Sequence, residues 1–242
     1  MTDWSATAQQ RGAASESRPD DSDRTRKRVY RNLTLLLQLI SAAGMIGFVL
    51  LQDWPNALLT ALVIVLTLVP MMLNRLFRVD VPPEFQLAAA LFVFCGIFLG
   101  MGLGFYARFH WWDTALHTTS GFLLGIVGFI VAFLINGTDH RPEGMRASLI
   151  AVFGFMFAVT LGVFWEIYEF VVDNLIPGRN MQAVETGTTD TMVDMIVNIT
   201  GAAIVAVLGY VYFRSRRDSF IVTAVREFLR RNPRLFSGRS VD

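Results

Sequence analysis

A chain of 242 residues that is 53% hydrophobic and only 17% charged, with 20 Phe, is too apolar for a soluble domain and reads as an integral membrane protein. Its formal net charge of +1 carries little information, because the distribution of charge is what matters, and no nucleic-acid partner is expected. The single cysteine, Cys95, excludes an intrachain disulfide and a cysteine metal cluster.

Residues 1–28 are rich in Ser, Asp, Arg and Ala and almost free of large apolar side chains, which predicts a disordered tail. That stretch is too long and too acidic for the start of a cleaved signal peptide, so the first apolar run is expected to remain as an anchor. A spanning helix needs roughly 20 mostly apolar residues. Six windows qualify, at about 32–51, 56–74, 86–106, 113–135, 147–172 and 190–213. Pro70 near the end of the second predicts a kink there. Continuous apolar character without alternation argues for helices over barrel strands. The predicted fold is therefore all-α, a polytopic membrane domain of six helices over residues 29–213. Residues 214–242 form a basic tail in which Phe220, Ile221, Val225, Phe228 and Leu229 recur at helical spacing among Arg226, Arg230 and Arg231. A basic amphipathic helix lying on the cytoplasmic leaflet is the expectation for it.

Lys and Arg near the span ends set the direction. Arg24, Arg26, Lys27, Arg28 and Arg31 precede the first span, and Arg75, Arg78, Arg141 and Arg146 fall in the second and fourth connections. Arg214, Arg216 and Arg217 follow the sixth span, so twelve basic residues lie on one side against two, Arg108 and Arg179, on the other. Both termini are predicted to be cytoplasmic.

That topology collects polar residues at the opposite face. The fourth span enters with Asp113 and His117 one turn apart, the fifth leaves with Glu166, Glu169 and Asp173, and the sixth enters with Asp190, Asp194 and Asn198. Spacings of three, four and seven keep each set on one helix face. At 1.5 Å per residue, the set on the sixth span descends roughly 12 Å into the membrane. A carboxylate at the centre of a span costs on the order of 2.5–3.5 kcal/mol on insertion scales, so such groups face the bundle interior and have partners. Arg108, Arg179 and His117 are the few local cations, which leaves an excess of negative charge for a metal, protons or a cationic ligand to cover. Plainer readings stand beside this one. Asp190 and Asp113 suit a helix start, and Asp173 suits a solvated loop. Asn198 suits a hydrogen bond to a neighbouring helix. Asp194 is the residue whose burial most needs a partner.

Two further patterns concern packing. Gly96, Gly100, Gly102 and Gly104, and Gly121, Gly125 and Gly128, predict close approach of the third and fourth spans to each other. Tyr106, Phe109, Trp111 and Trp112 fit an aromatic belt at the membrane boundary.

The elements "WWDTALHTTSGF", "WEIYEF" and "DTMVDMIVNITGA" resemble the YjdF-like family of bacterial integral membrane proteins over about residues 85–213. More remotely, the layout is similar to that of VanZ-like proteins. The first resemblance implies a bacterial inner-membrane protein and transfers no catalytic assignment.

Three functions fit the residues. In the first, His117, Glu166, Glu169, Asp190 and Asp194 bind a divalent metal (Mg, Mn, Zn or Ca), with Asp113, Asp173 and Asn198 around a ligand. A metal there would orient a small-molecule, phosphorylated or lipid-linked ligand at the outer face or activate water. No hydrolase signature such as His-Glu-x-x-His occurs, so a reaction class does not follow. In the second, the cluster cements helices in a structural or assembly protein. In the third, the acids serve a proton- or cation-coupled transporter, although the first three spans contribute almost no polar groups to a pathway.

Overall fold

The computed structural model describes residues 21–136, 146–175, 181, 187–215 and 220–236. Six helices in it are long and apolar enough to cross a membrane, and no strand occurs among the described residues. They are α1 (Asp21–Leu50), α2 (Trp54–Phe77), α3 (Pro83–Gly102), α4 (Trp111–Asn136), α5 (Ala147–Leu175) and α6 (Thr188–Ser215), followed by the shorter α7 (Phe220–Arg231). The chain is an all-α, multi-pass membrane protein. Residues 1–20 of the predicted tail, His140, and the basic residues Arg141, Arg179, Arg216 and Arg217 lie outside the described residues.

Helix starts and stops follow local chemistry. Asp53 caps α2, its carboxylate accepting from the backbone N–H of Asn56 at 3.3 Å and from the Asn56 side-chain amide at 2.8 Å. Pro55 follows, where a missing N–H is harmless. Arg78 closes α2 in the left-handed region at φ 55°, its N–H returning to Asn74 at 2.9 Å. Helix α2 continues on both sides of Pro70 and runs to Phe77, past the predicted end.

Helix α1 begins at Asp21, inside the stretch predicted to be disordered. Residues 21–28 carry charge but no Pro or Gly, and Arg and Lys are good helix formers, so a span can continue into water as a solvated helix. Helix α3 ends earlier than predicted. Its second half, Phe94–Gly102, is a π-helix, closed by the Leu103 N–H on the Phe98 carbonyl at 3.0 Å. Gly104 then adopts φ 70°, a conformation open to glycine, and a separate turn, Phe105–Arg108, brings the Tyr106 ring back over Gly100 of the span.

The spans form two groups of three, α1–α2–α3 and α4–α5–α6. The first is built on Val63, Phe94 and Phe98, and the second on Ile126, Phe129, Ile130, Phe133, Ile150 and Val205. Leu39, Leu58, Leu76, Ile196 and many other apolar side chains are exposed, as lipid-facing surfaces require. The glycines of α4 correct the packing expectation. They face α5 and α6, and not α3. A Cβ at Gly121 would overlap the Asn198 carbonyl, one at Gly201 would overlap the Thr118 carbonyl, and Gly128 abuts Gly154 of α5. The α4 and α6 backbones touch, and this fixes the depth register of the two helices. The α3 glycines serve aromatic rings: Gly100 lies under Tyr106, and Gly102 lies near Phe48.

Helix α7 has the predicted amphipathic character, but its apolar face packs on protein. Val225 is fully buried and Phe228 nearly so, both joined to the α4–α6 core. The bundle offers that face a close-packed partner in place of lipid. Arg230, foremost, and then Arg231 hold the Glu227 carboxyl down to about 2. Asn232 is buried and ties this helix to the α2–α3 connection: its carbonyl accepts from the Asp80 N–H at 2.6 Å, and its amide donates to the Asp80 carbonyl at 2.9 Å.

The glycine contacts give a comparative prediction. Gly121→Ala should destabilise the detergent-solubilised protein by about 1–3 kcal/mol through overpacking against backbone. Gly47→Ala, with nothing within 4 Å of the added methyl, should be neutral or stabilise by up to about 1 kcal/mol. Thermal unfolding of the two variants measures the difference.

Candidate functional site

The start of α4 is anchored before its polar face begins. Phe105 packs edge-on against Phe109 and Trp112, with centroids 5.1 and 5.0 Å away. The Trp112 indole N–H donates to the Cys95 carbonyl in the π-helical part of α3 at 3.3 Å. One turn on from this anchor stand Asp113 and His117, on a face that looks toward α5 and α6.

His117 is the centre of the cluster. Its Nε2 lies 3.4 Å from Asp113 Oδ1 and its Nδ1 lies 3.6 Å from Glu166 Oε1. Donor atoms of His117, Glu166 and Glu169 lie within 4.8 Å of one another, and so do those of Asp113, His117 and Asp194. The imidazole therefore stands between two groups of carboxylates, drawn from three helices. His117 (8% exposed), Glu166 (5%), Glu169 (8%) and Asp194 (3%) are all buried. Among the described residues, both ion pairs that reach the cluster come from His117.

Glu166 is the exceptional member. Both of its oxygens are buried without a hydrogen-bond partner, and Thr191 of α6 lies beside it. Glu169, one turn further along α5, has an oxygen held by the Trp165 indole at 3.0 Å. Charge-assisted N–H···O bonds run about 2.7–2.9 Å, shorter than either His117 distance. Two ligands about 2.0–2.1 Å from one ion at tetrahedral angles stand roughly 3.3–3.4 Å apart.

The remaining predicted residues are not drawn in. Asp190 is half-buried in the first turn of α6 and lies outside both groups, its own N–H bonded to the Gly187 carbonyl at 3.1 Å. Asp173 accepts the Met181 N–H at 2.8 Å, which organises the end of α5. Asn198 is buried one turn deeper than Asp194 and donates to the Ser120 hydroxyl of α4 at 3.0 Å. Its side chain sits over Gly162, where a Cβ would intrude, so α5 is pinned at the same level. Asn198 thus follows the helix-joining alternative.

Sequence reasoning missed three participants, Ser120, Thr191 and Tyr106. Ser120 is three residues after His117 and Thr191 three before Asp194, so helical spacing from the acids finds both. Trp165 flanks the acids of the fifth span, a place from which it can shape a site, although an aromatic belt is the default reading there. Tyr106 also reads as belt, yet burial first, and then Asp113, Glu169 and Asp194, push its phenol above the ordinary range. It therefore lies in the field of the same carboxylates. Nothing in its own neighbourhood signals this, because the turn after Gly104 is what brings it there.

Residues 33–215 match the family described as "Predicted membrane protein (DUF2238)". The chain belongs to that family. The matched region contains α2 to α6 whole, α1 from residue 33 onward and every residue of the cluster, and stops before α7. The chain is also similar to an uncharacterised protein of Thermotoga maritima, 30% identical over 141 residues, which are 58% of this chain and 69% of that protein. No solved structure matches.

The Asn198–Ser120 bond gives a second prediction. In a double-mutant cycle of Asn198→Ala and Ser120→Ala, unfolding in detergent should report a coupling of about 0.6–1.7 kcal/mol, the range of interhelical hydrogen bonds in membrane proteins. A coupling near zero would mean that the bond does not join the helices.

Proposed function

We propose that this protein sits in the bacterial cytoplasmic membrane and holds a divalent cation among α4, α5 and α6, near the extracytoplasmic ends of these helices. The observation that carries this reading is Glu166, a carboxylate with both oxygens buried and unpaired, 3.6 Å from an imidazole nitrogen. An ion there supplies the missing charge and uses the free oxygens. Carboxylates with one imidazole suit Mg, Mn or Zn. The YjdF-like resemblance of the motifs agrees with this setting, since the shared elements are those that bring the acids and His117 together. The cation would present an open position to a small-molecule or lipid-linked ligand from the outer leaflet, with Tyr106 and Asp190 at its edge.

The helix-cementing alternative draws support from Asn198 but leaves Glu166 unexplained, because a buried carboxylate with no hydrogen bond and one imidazole at 3.6 Å costs more in lost solvation than it adds to joining helices. A proton or cation relay has a weaker case. Beyond Asn198 the core among α4, α5 and α6 is apolar, formed by Ile126, Phe129, Ile150 and Val205, with no buried polar side chain among the described residues of that core. Equilibrium dialysis of the purified protein against Mg²⁺, Mn²⁺ and Zn²⁺ tests the proposal. Wild type should bind one of them, Glu166→Gln should weaken binding at least ~10-fold, and Asp173→Asn should leave it unchanged. Wild type that binds none of these ions overturns the reading.

A further inference from the structure

The cluster has two sides, and they are not equivalent. His117 presents Nδ1 to Glu166 and Nε2 to Asp113, so only one nitrogen can take an ion while the other carries the proton. Resting on the cation reading above, we infer that His117 binds the ion through Nδ1, together with Glu166 and Glu169, and that Asp113 is a positioning residue that accepts the Nε2–H.

Three observations separate the sides. The Nδ1 side holds the orphan: Glu166 is 95% removed from solvent, with two unpaired oxygens, which is a state that needs an ion. All three donors there, His117, Glu166 and Glu169, are buried, whereas the Asp113 side chain keeps about a third of its exposure (32%). Finally, Glu166 and Glu169 come from a different helix than His117, so they meet it only through folding. Asp113 stands four residues before His117 on the same helix, where the α-helical repeat holds it against the ring whatever the rest of the bundle does. A carboxylate on the far nitrogen of a ligating imidazole fixes the tautomer and raises ligand basicity, and its loss typically weakens metal affinity 10–100-fold.

Charge supports the same division. Glu166 and Glu169 neutralise a divalent ion, and the Trp165 indole holds the Glu169 carboxylate in place. Asp194 groups with Asp113 and His117, apart from Glu166 and Glu169, and contributes field to the bound ion and no bond.

The test uses the purified full chain and Zn²⁺ alone as probe. Zn²⁺ affinity is measured for wild type, Glu169→Gln, Asp113→Ala and Asp113→Asn. Nitrogen-15 NMR of histidine-labelled protein follows the His117 tautomer, assigned through His117→Ala. Glu169→Gln should weaken binding about 100-fold or more. Asp113→Ala should weaken it about 10–100-fold, and Asp113→Asn, whose amide oxygen still accepts the Nε2–H, should recover most of that loss. On Zn²⁺ addition the Nδ1 resonance should shift while Nε2 stays protonated. Wild-type binding with metallation at Nε2, or with Asp113→Asn as defective as Asp113→Ala and Glu169→Gln unaffected, overturns the inference and leaves the cation site standing. Absence of Zn²⁺, Mg²⁺ and Mn²⁺ binding by wild type overturns the cation site itself.

Discussion

A carboxylate that leaves water without gaining a hydrogen bond loses several kcal/mol of solvation, and the low-dielectric interior magnifies whatever charge stands next to it. Glu166 is in that position: buried, unpaired at both oxygens, with a single imidazole beside it. The surrounding structure keeps it there. Helix α5 presents apolar side chains to lipid on either side of it, Trp165 and Ile167, so the carboxylate cannot turn outward without entering hydrocarbon. Whatever compensates Glu166 must therefore come to it from within the α4–α6 interface.

The rest of the second three-helix group serves to hold that interface in register. Contact of the α4 and α6 backbones at Gly121 and Gly201 sets the level of His117 against Asp194. Asn198 joins α6 to Ser120 of α4 and sits over Gly162 of α5, one turn below the cluster. Below that level the interface is apolar and closed by Phe129 and Val205. Such an arrangement pre-positions ligand groups on rigid elements, as a binding site requires. Helix α7, docked on the opposite end and tied to Asp80 through Asn232, adds a link between the two halves of the domain far from the cluster.

Much of this was legible in the sequence, for physical reasons. Span number follows from apolar length, because lipid admits only helices and closed barrels, and the apolar runs here do not alternate. Convergence of His117, Glu166, Glu169 and Asp194 follows from helical spacing combined with alternating direction. The packing partners were not legible. Gly121 and Gly125 announce a close approach without naming the helix that makes it, and the glycine series of α3 matches theirs as well as Gly154 and Gly201 do. Tyr106 was lost because the break at Gly104 depends on a backbone conformation, φ 70°, that a run of apolar residues hides. The docking of α7 was lost because an amphipathic face fits a membrane surface and a protein groove equally well. Asp190 and Asp173 share helix faces with the cluster, but face alone does not give depth: Asp190 stays at the edge of the cluster, outside both donor groups, and Asp173 turns to the Met181 N–H.

The central claim is that Glu166 is a ligand in waiting and not a structural bond. Thermal unfolding of Glu166→Leu beside wild type, in chelator and then with the bound divalent ion restored, tests this most directly. Removing an uncompensated buried charge relieves its desolvation cost. The account predicts that Glu166→Leu unfolds at a higher temperature than wild type in chelator and does not respond to the ion, while wild type gains stability when the ion returns. A variant less stable than chelated wild type, with wild type indifferent to every divalent ion, would contradict it.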